Sequence, residues 1–264
     1  MLRYWIDPKK IYWYSLAWNE NAIPLLKDKI NMDPDRVNWN GISGNPNAIP
    51  LLENALQFYP ENINWSSMSA NPNAIHLLKT NPDKIAWKIL SANPNAVPLL
   101  EAYPENIDWS LLSFNENAIP LLESNMDKIN WFHLSANPNA ISLLEDNPNK
   151  IHWNHLSSNP NALYLLEQNP DKICWGYLSS NPNAIHLLEN NLNRVRWDNL
   201  SENPNAAFIL ENNLDNVEWF NLSTNPSAIY ILEKEALKGP TNRIDWYRLF
   251  ENPAIFEDEP TGMK

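Results

Sequence analysis

Apolar residues return along this chain on a fixed beat. In residues 81–102, NPDKIAWKILSANPNAVPLLEA, they fall at Ile85, Trp87 and Leu90, then at Ala96, Val97, Leu99 and Leu100. The second cluster has the three- and four-residue spacing of a helix face. Asn93 stands just before it. Its side-chain oxygen can accept from an orphan N–H of the first turn, and Pro94 follows where a missing N–H costs nothing. Glu101 and its equivalents fall on the solvent side. An Asn such as Asn125, Asn147 or Asn169 closes the run, and a proline next, as in Asn147–Pro148, forbids continuation. The pattern predicts a helix of roughly nine residues.

The first cluster admits two readings. A helix can begin at Pro82 with Asn81 as its cap. Alternatively it begins at Trp87, with the preceding residue as cap and Ile85 and Leu90 at the spacing of a hydrophobic staple. Asn38, Asn64, Asp108, Asn130 and Asp245 suit that cap position, whereas Ala86, His152, Cys174, Arg196 and Glu218 do not. Either way, each unit carries two short helices.

The same register returns eleven times, at Trp13, Trp39, Trp65, Trp87, Trp109, Trp131, Trp153, Trp175, Trp197, Trp219 and Trp246, with a constant 22-residue step from Trp65 to Trp219. A short fixed period means one small unit stacked on the next. Helices this short do not persist alone in water, so each unit must be covered by its neighbours. The expected fold is an all-α solenoid of about eleven two-helix repeats in a single elongated domain over residues 1–257, with regular repeats about 61–226. A leucine-rich-type β-solenoid has a similar period, but needs a strand in every repeat where only the short I-x-W is on offer. Trp87, Trp109, Trp131, Trp153, Trp175, Trp197 and Trp219 are expected to form the repeat core, each packing on the Trp or Leu pair one repeat away. Replacing one by Ala would then cost about 3–5 kcal/mol. Asn93, Asn115, Asn137, Asn159, Asn181 and Asn203 recur more faithfully than the proline after them, as the structural helix caps. Ser at the fourth position after Trp recurs from Ser43 to Ser223 and is expected to bond to nearby backbone.

The repeats toward both ends are longer by about one helical turn, as in LLENALQFYP and LLEKEALKGPTNRI. They and the fading unit after Trp246 read as terminal caps, and residues 258–264 as a disordered acidic tail.

Positions that vary are the ones that can carry function. Three tracks run along the array: the residue before Trp, the two after it, and the residue after the Ala-Ile pair. Stacking sets equivalent residues about 8–10 Å apart. The tracks grow richer in His, Tyr and Phe between roughly 130 and 230. Phe132, His133, His155, Tyr177, Asn199 and Phe220 are therefore the candidate protein-binding face.

Composition narrows the function by exclusion. The net charge is −12 and no Lys/Arg cluster appears, which argues against nucleic acid and against an acidic membrane surface. The charge serves instead to keep an exposed array soluble. One cysteine, Cys174, excludes a disulfide framework and reads as a buried thiol. No signal-peptide h-region or membrane-length apolar run is visible. His133, His152 and His155 are the one His grouping with metal-like spacing, but no Cys, Asp or Glu pattern completes a zinc site. With five glycines, no phosphate loop is present. No catalytic residue, metal or cofactor is expected.

The phrase I-x-W-x-x-L-S-x-N-P-N-A-I-x-L-L-E, as at Ile129–Glu145, resembles the Trp-containing short-helix repeats of proteins from large nucleocytoplasmic DNA viruses, over roughly residues 11–255. The resemblance implies a soluble intracellular protein, acting in the host cytoplasm or carried in the virion. It implies a binding role toward a host or viral protein, and no F-box-like segment is apparent. A non-catalytic protein-interaction scaffold is the expected function. The alternative is a structural spacer or tape in a particle or other assembly, with self-association.

Overall fold

The structure, a computed structural model, describes residues 1–239 and 242–257. It is built from short helices, and among the described residues there is no strand, only an isolated antiparallel bridge between Leu2 and Phe256. The β-solenoid alternative falls with that. Both readings of the repeat's first half prove partly right. Pro82–Lys84 forms a single 3-10 turn, and a separate α-helix starts at Trp87. The side chains of Asn38, Asn64, Asp108, Asn130 and Asp245 each cap such a helix, accepting from the N–H three residues on. Ala86, His152, Cys174 and Glu218 make no side-chain cap, yet their helices start at the same point. The reason lies one repeat back. The N–H of each donates to the Ser hydroxyl of the preceding unit, at 3.0 Å for Ala86 on Ser69 and 2.9 Å for His152 on Ser135.

The chain divides into two compact units, Asn64–Arg196 and Met1–Ile63 together with the segment from Trp197 onward. Within Asn64–Arg196, repeats stack in sequence order, first helix on first helix, as Trp153–Ser158 packs on Trp175–Leu178. Asn137 shows what joins them. Its Oδ1 accepts from the N–H of Asn139 at 3.0 Å, which is the expected cap. Its Nδ2 donates to two carbonyls of the previous repeat, Ser113 O at 3.2 Å and Asn115 O at 2.9 Å. Those carbonyls follow the end of a helix and would otherwise be orphaned. Asn93, Asn115, Asn159 and Asn181 make the same pair of bonds. Two residues later, Asn139 Nδ2 reaches Glu116 O at 3.0 Å. Ser135 Oγ donates to Trp131 O at 2.7 Å and accepts from the next repeat.

The interior is narrow. Leu90, Leu112, Leu134, Leu156 and Leu178, with Ala96, Ala118 and Ala140 and the second Leu of each Leu pair, have no exposed surface. The Asn and Ser residues of the ladder are equally buried. The tryptophans are not in this core, contrary to expectation: all eleven repeat Trp residues are half-buried. Several of their rings meet the turn of the following repeat, where a cation or an aromatic covers them. Lys128 stands 4.2 Å over the Trp109 ring, Lys172 4.3 Å over Trp153 and Arg194 4.3 Å over Trp175, while Tyr103 packs on Trp87. A ring that spans the edge of two repeats gains such contacts while its far side stays in water.

The other unit joins the beginning and the end of the sequence. Asn19 Nδ2 donates to Phe250 O at 3.1 Å and Asn252 O at 2.8 Å, and Asn21 Nδ2 to Pro253 O at 3.0 Å. These are the bonds that an interior repeat makes to its predecessor. Asn45 continues the ladder onto Ala17 and Asn19, and Asn252 onto Ser223 and Asn225. The end repeats, expected to be caps, therefore stack on each other. Trp5 covers Trp246 edge-on at 6.2 Å, and Tyr12 lies against Phe250, which fills the place of the repeat's Ser. Arg3 N donates to Ile255 O and Glu257 N to Met1 O, so Phe256 and Glu257 are tied down; the tail expected over 258–264 lies outside the described residues. At Gly41 a Cβ would lie 2.8 Å from Ala17 Cβ, so glycine permits that close approach. The longer helices all belong here: Ile23–Met32, Ile49–Phe58 and Ile229–Ala236, of 10, 10 and 8 residues against 5 in Ile141–Glu145. The extra turn of the last brings in Glu235, buried and bound by Arg243 and Lys238. Burial pushes its carboxyl up, but the bonds from those cations prevail and hold it at about 2.

Two outcomes follow. Asn137→Asp keeps the cap oxygen but strands two buried carbonyls, at about 1–3 kcal/mol each. Urea unfolding should show it destabilised on the scale of Leu134→Ala, about 2–5 kcal/mol, whereas a pure cap would tolerate Asp. Asn19→Asp should raise amide hydrogen exchange in residues 13–63 and 197–257 together, with exchange in 87–175 unchanged.

Candidate functional site

The side chains used by the ladder are spent on stacking, so any site must come from the varying positions. On the single-turn helix Trp131–Leu134, the residue after Trp faces outward and the next leans back on the previous repeat. Phe132 is accordingly 42% exposed. His133 is half-buried, its Nδ1 2.8 Å from Ser110 O and 3.1 Å from Ser110 Oγ, with the Phe114 ring 5.7 Å away. The His155 ring, one repeat on, sits 3.7 Å from that of Phe132, with His152 at 5.1 Å. Tyr177, one repeat further, lies 5.3 Å from His155. Phe114, His133, Phe132, His155 and Tyr177 thus form one unbroken strip of rings across four repeats.

Four of the six candidate residues, Phe132, His133, His155 and Tyr177, are brought together here. Asn199 and Phe220 belong to the other unit. There Phe220 is 53% exposed with the Arg248 guanidinium 4.8 Å over its ring, and Asn199 N donates to Asp198 Oδ1. Phe114 was missed. Its signal was present: it is the one aromatic residue at its position among the regular repeats, where Ala70, Ala92, Ala136 and Ser158 stand in others. Gly176 sits beneath the Arg196 stem, which a Cβ would meet at 3.1 Å. The track after the Ala-Ile pair is partly tied down. His186 Nε2 is 3.0 Å from Glu167 Oε1, and Tyr230 donates to Glu211, while Tyr164 and Phe208 project into solvent. Cys174 is half-buried and free.

Burial holds the His155 imidazolium down, and repulsion from His152 and His133 lowers its pKa further below 6.5. At neutral pH its ring is uncharged and the strip presents aromatic faces.

A family model described as periplasmic copper-binding protein (NosD) matches residues 14–205. No curated protein and no solved structure matches the chain. Copper would call for imidazole, thiolate or thioether ligands that converge. The residues do not fit it: His133 Nδ1 is held by Ser110, the Phe132 ring packs against His133, His152 and His155 alike, and among the described residues no three His, Cys, Asp or Glu side chains are grouped to hold a metal ion.

Because the unfolded chain takes up a proton on His155 before the folded chain does, the part of the stability that depends on this ring should be lost as pH falls through 6.5. Urea midpoints across that range should show the loss, and His155→Gln should remove part of it. An unchanged slope would assign the titration elsewhere.

Proposed function

We propose that the chain, which belongs to the NosD family, is a non-catalytic protein-interaction scaffold whose binding surface is the Phe114–Tyr177 aromatic strip. The observation that carries this is the contrast between positions. The recurring Ser, the Asn after it and the second Asn of N-P-N are engaged in joining repeats, whereas the varying positions set rings, exposed at Phe114, Phe132 and Tyr177, side by side over four repeats. Large rigid aromatic faces at a solvent boundary are what protein interfaces concentrate. A stack of near-identical units gives such a strip a firm backing and costs little ordering on binding.

The tape or spacer reading has less support. It needs an open stacking face at which copies can add, and the first repeat's stacking bonds are already made to the last. Among the described residues no helix is long and apolar enough to cross a membrane. By the resemblance to repeats of large DNA viruses, the setting of such a scaffold would be the cytoplasm of an infected cell, and its partner a host or viral protein.

The test compares three tagged baits in cells of the native system: the unaltered chain, a Phe132→Ala/His155→Ala/Tyr177→Ala variant, and a Tyr164→Ala control on the other track. A partner retained by the control and lost from the triple variant, with thermal unfolding of both baits intact, is the expected result. Identical partner sets from all three would overturn the strip as the binding surface.

A further inference from the structure

Beside the strip lies an open trough of about 650 Å³, running across the turns that precede Trp131 and Trp153. Lys128 and Lys150 line it with Asn149 and Trp131, and it shares Phe132 and His152 with the strip. No carboxylate is among its lining residues. On a chain of net charge −12, that makes a local basic island.

The island has a sequence cause. The turns of the array read P-D-K at Pro82–Lys84 and Pro170–Lys172, and Asp83 pairs with its own Lys84 at 3.9 Å. At Pro148–Lys150 the acid is replaced by Asn149. Lys150 is exposed, and neither it nor Lys128 has a carboxylate within ion-pair distance among the described residues. Lys128 is held by Asn125 Oδ1 at 3.2 Å and by the Trp109 ring, both of which leave its charge unneutralised.

We propose that this trough recognises carboxylate side chains of an acidic, extended peptide segment, whose apolar residues run on to the aromatic strip. The inference rests on the scaffold reading and names the partner's chemistry. Shape favours a segment over a small molecule, since a shallow trough covers little of a compact ligand. Charge favours carboxylates, since the two lysines of the trough carry charge that no carboxylate side chain neutralises.

Fluorescence anisotropy on the full chain tests it with a fluorescein-labelled peptide of alternating glutamate and leucine, and with the glutamine counterpart. The glutamate peptide should bind about tenfold tighter at low salt, and added salt should erase the difference. Lys150→Glu, and separately Asn149→Asp, should each weaken it about fivefold or more while leaving thermal unfolding unchanged. Equal binding of the two peptides, or variants that bind as well as the unaltered chain, would overturn the proposal. The scaffold reading would survive that result if the native partner were still lost from the Phe132→Ala/His155→Ala/Tyr177→Ala bait and retained by Lys150→Glu. A partner lost from both baits would support the two readings together.

Discussion

One buried amide per repeat determines how this protein is put together. A short helix leaves carbonyls at its end that nothing inside the repeat can satisfy. The Asn that caps the next turn turns its Nδ2 outward and satisfies two such carbonyls of the repeat before it. Its remaining oxygen starts its own helix turn. The side chain thus has a full set of partners although it is wholly buried, and only an amide has both the acceptor and the two donors for the task. Ser and the second Asn of N-P-N extend the same logic. The helices of one repeat are therefore incomplete without the previous repeat, and apolar burial at Leu and Ala adds to an arrangement that polar bonds have already placed in register.

This division of labour explains which parts were legible in the sequence. The period, the helical class and the cap role of Asn137 and its equivalents follow from local spacing, because cap and capped N–H lie two residues apart. The longer helices near the ends were legible for the same reason. The second job of the same Asn was not, since its acceptors lie 22 and 24 residues back and no local pattern names them. The tryptophans misled. A large aromatic on a strict beat reads as core, but here it bridges the rim of two repeats, and the clue was the basic residue of the following turn, Lys128, Lys172, Arg194 or Arg243. The meeting of first and last repeats had only faint signals: a tryptophan at Trp5 outside the beat, Phe250 where Ser is expected, and Gly41 opposite Ala17.

The candidate site was legible to the extent that variation within a repeat marks freedom from structural duty. That argument found Phe132, His133, His155 and Tyr177, whose ring contacts depend only on equivalent positions lying side by side. It named Asn199 and Phe220 too, which lie in the other unit. It also passed over charge. Lys150 looks like any other turn lysine until Asn149 is compared with Asp83, Asp127 and Asp171.

The joining of Asn19 to Asn252 also sets an order of events during synthesis. Repeats from Trp87 to Trp175 can be completed one after another as they leave the ribosome, each finding its acceptors on the repeat just made. The repeat at Trp13 cannot, for the carbonyls that Asn19 needs belong to Phe250 and Asn252. The Trp13 repeat thus waits with its apolar helices half covered while more than two hundred residues are added, and becomes complete only when residues near 252 emerge. Folding of that unit is then governed by translation speed and by whatever shields the waiting helices, and the two units of one chain reach maturity on different clocks.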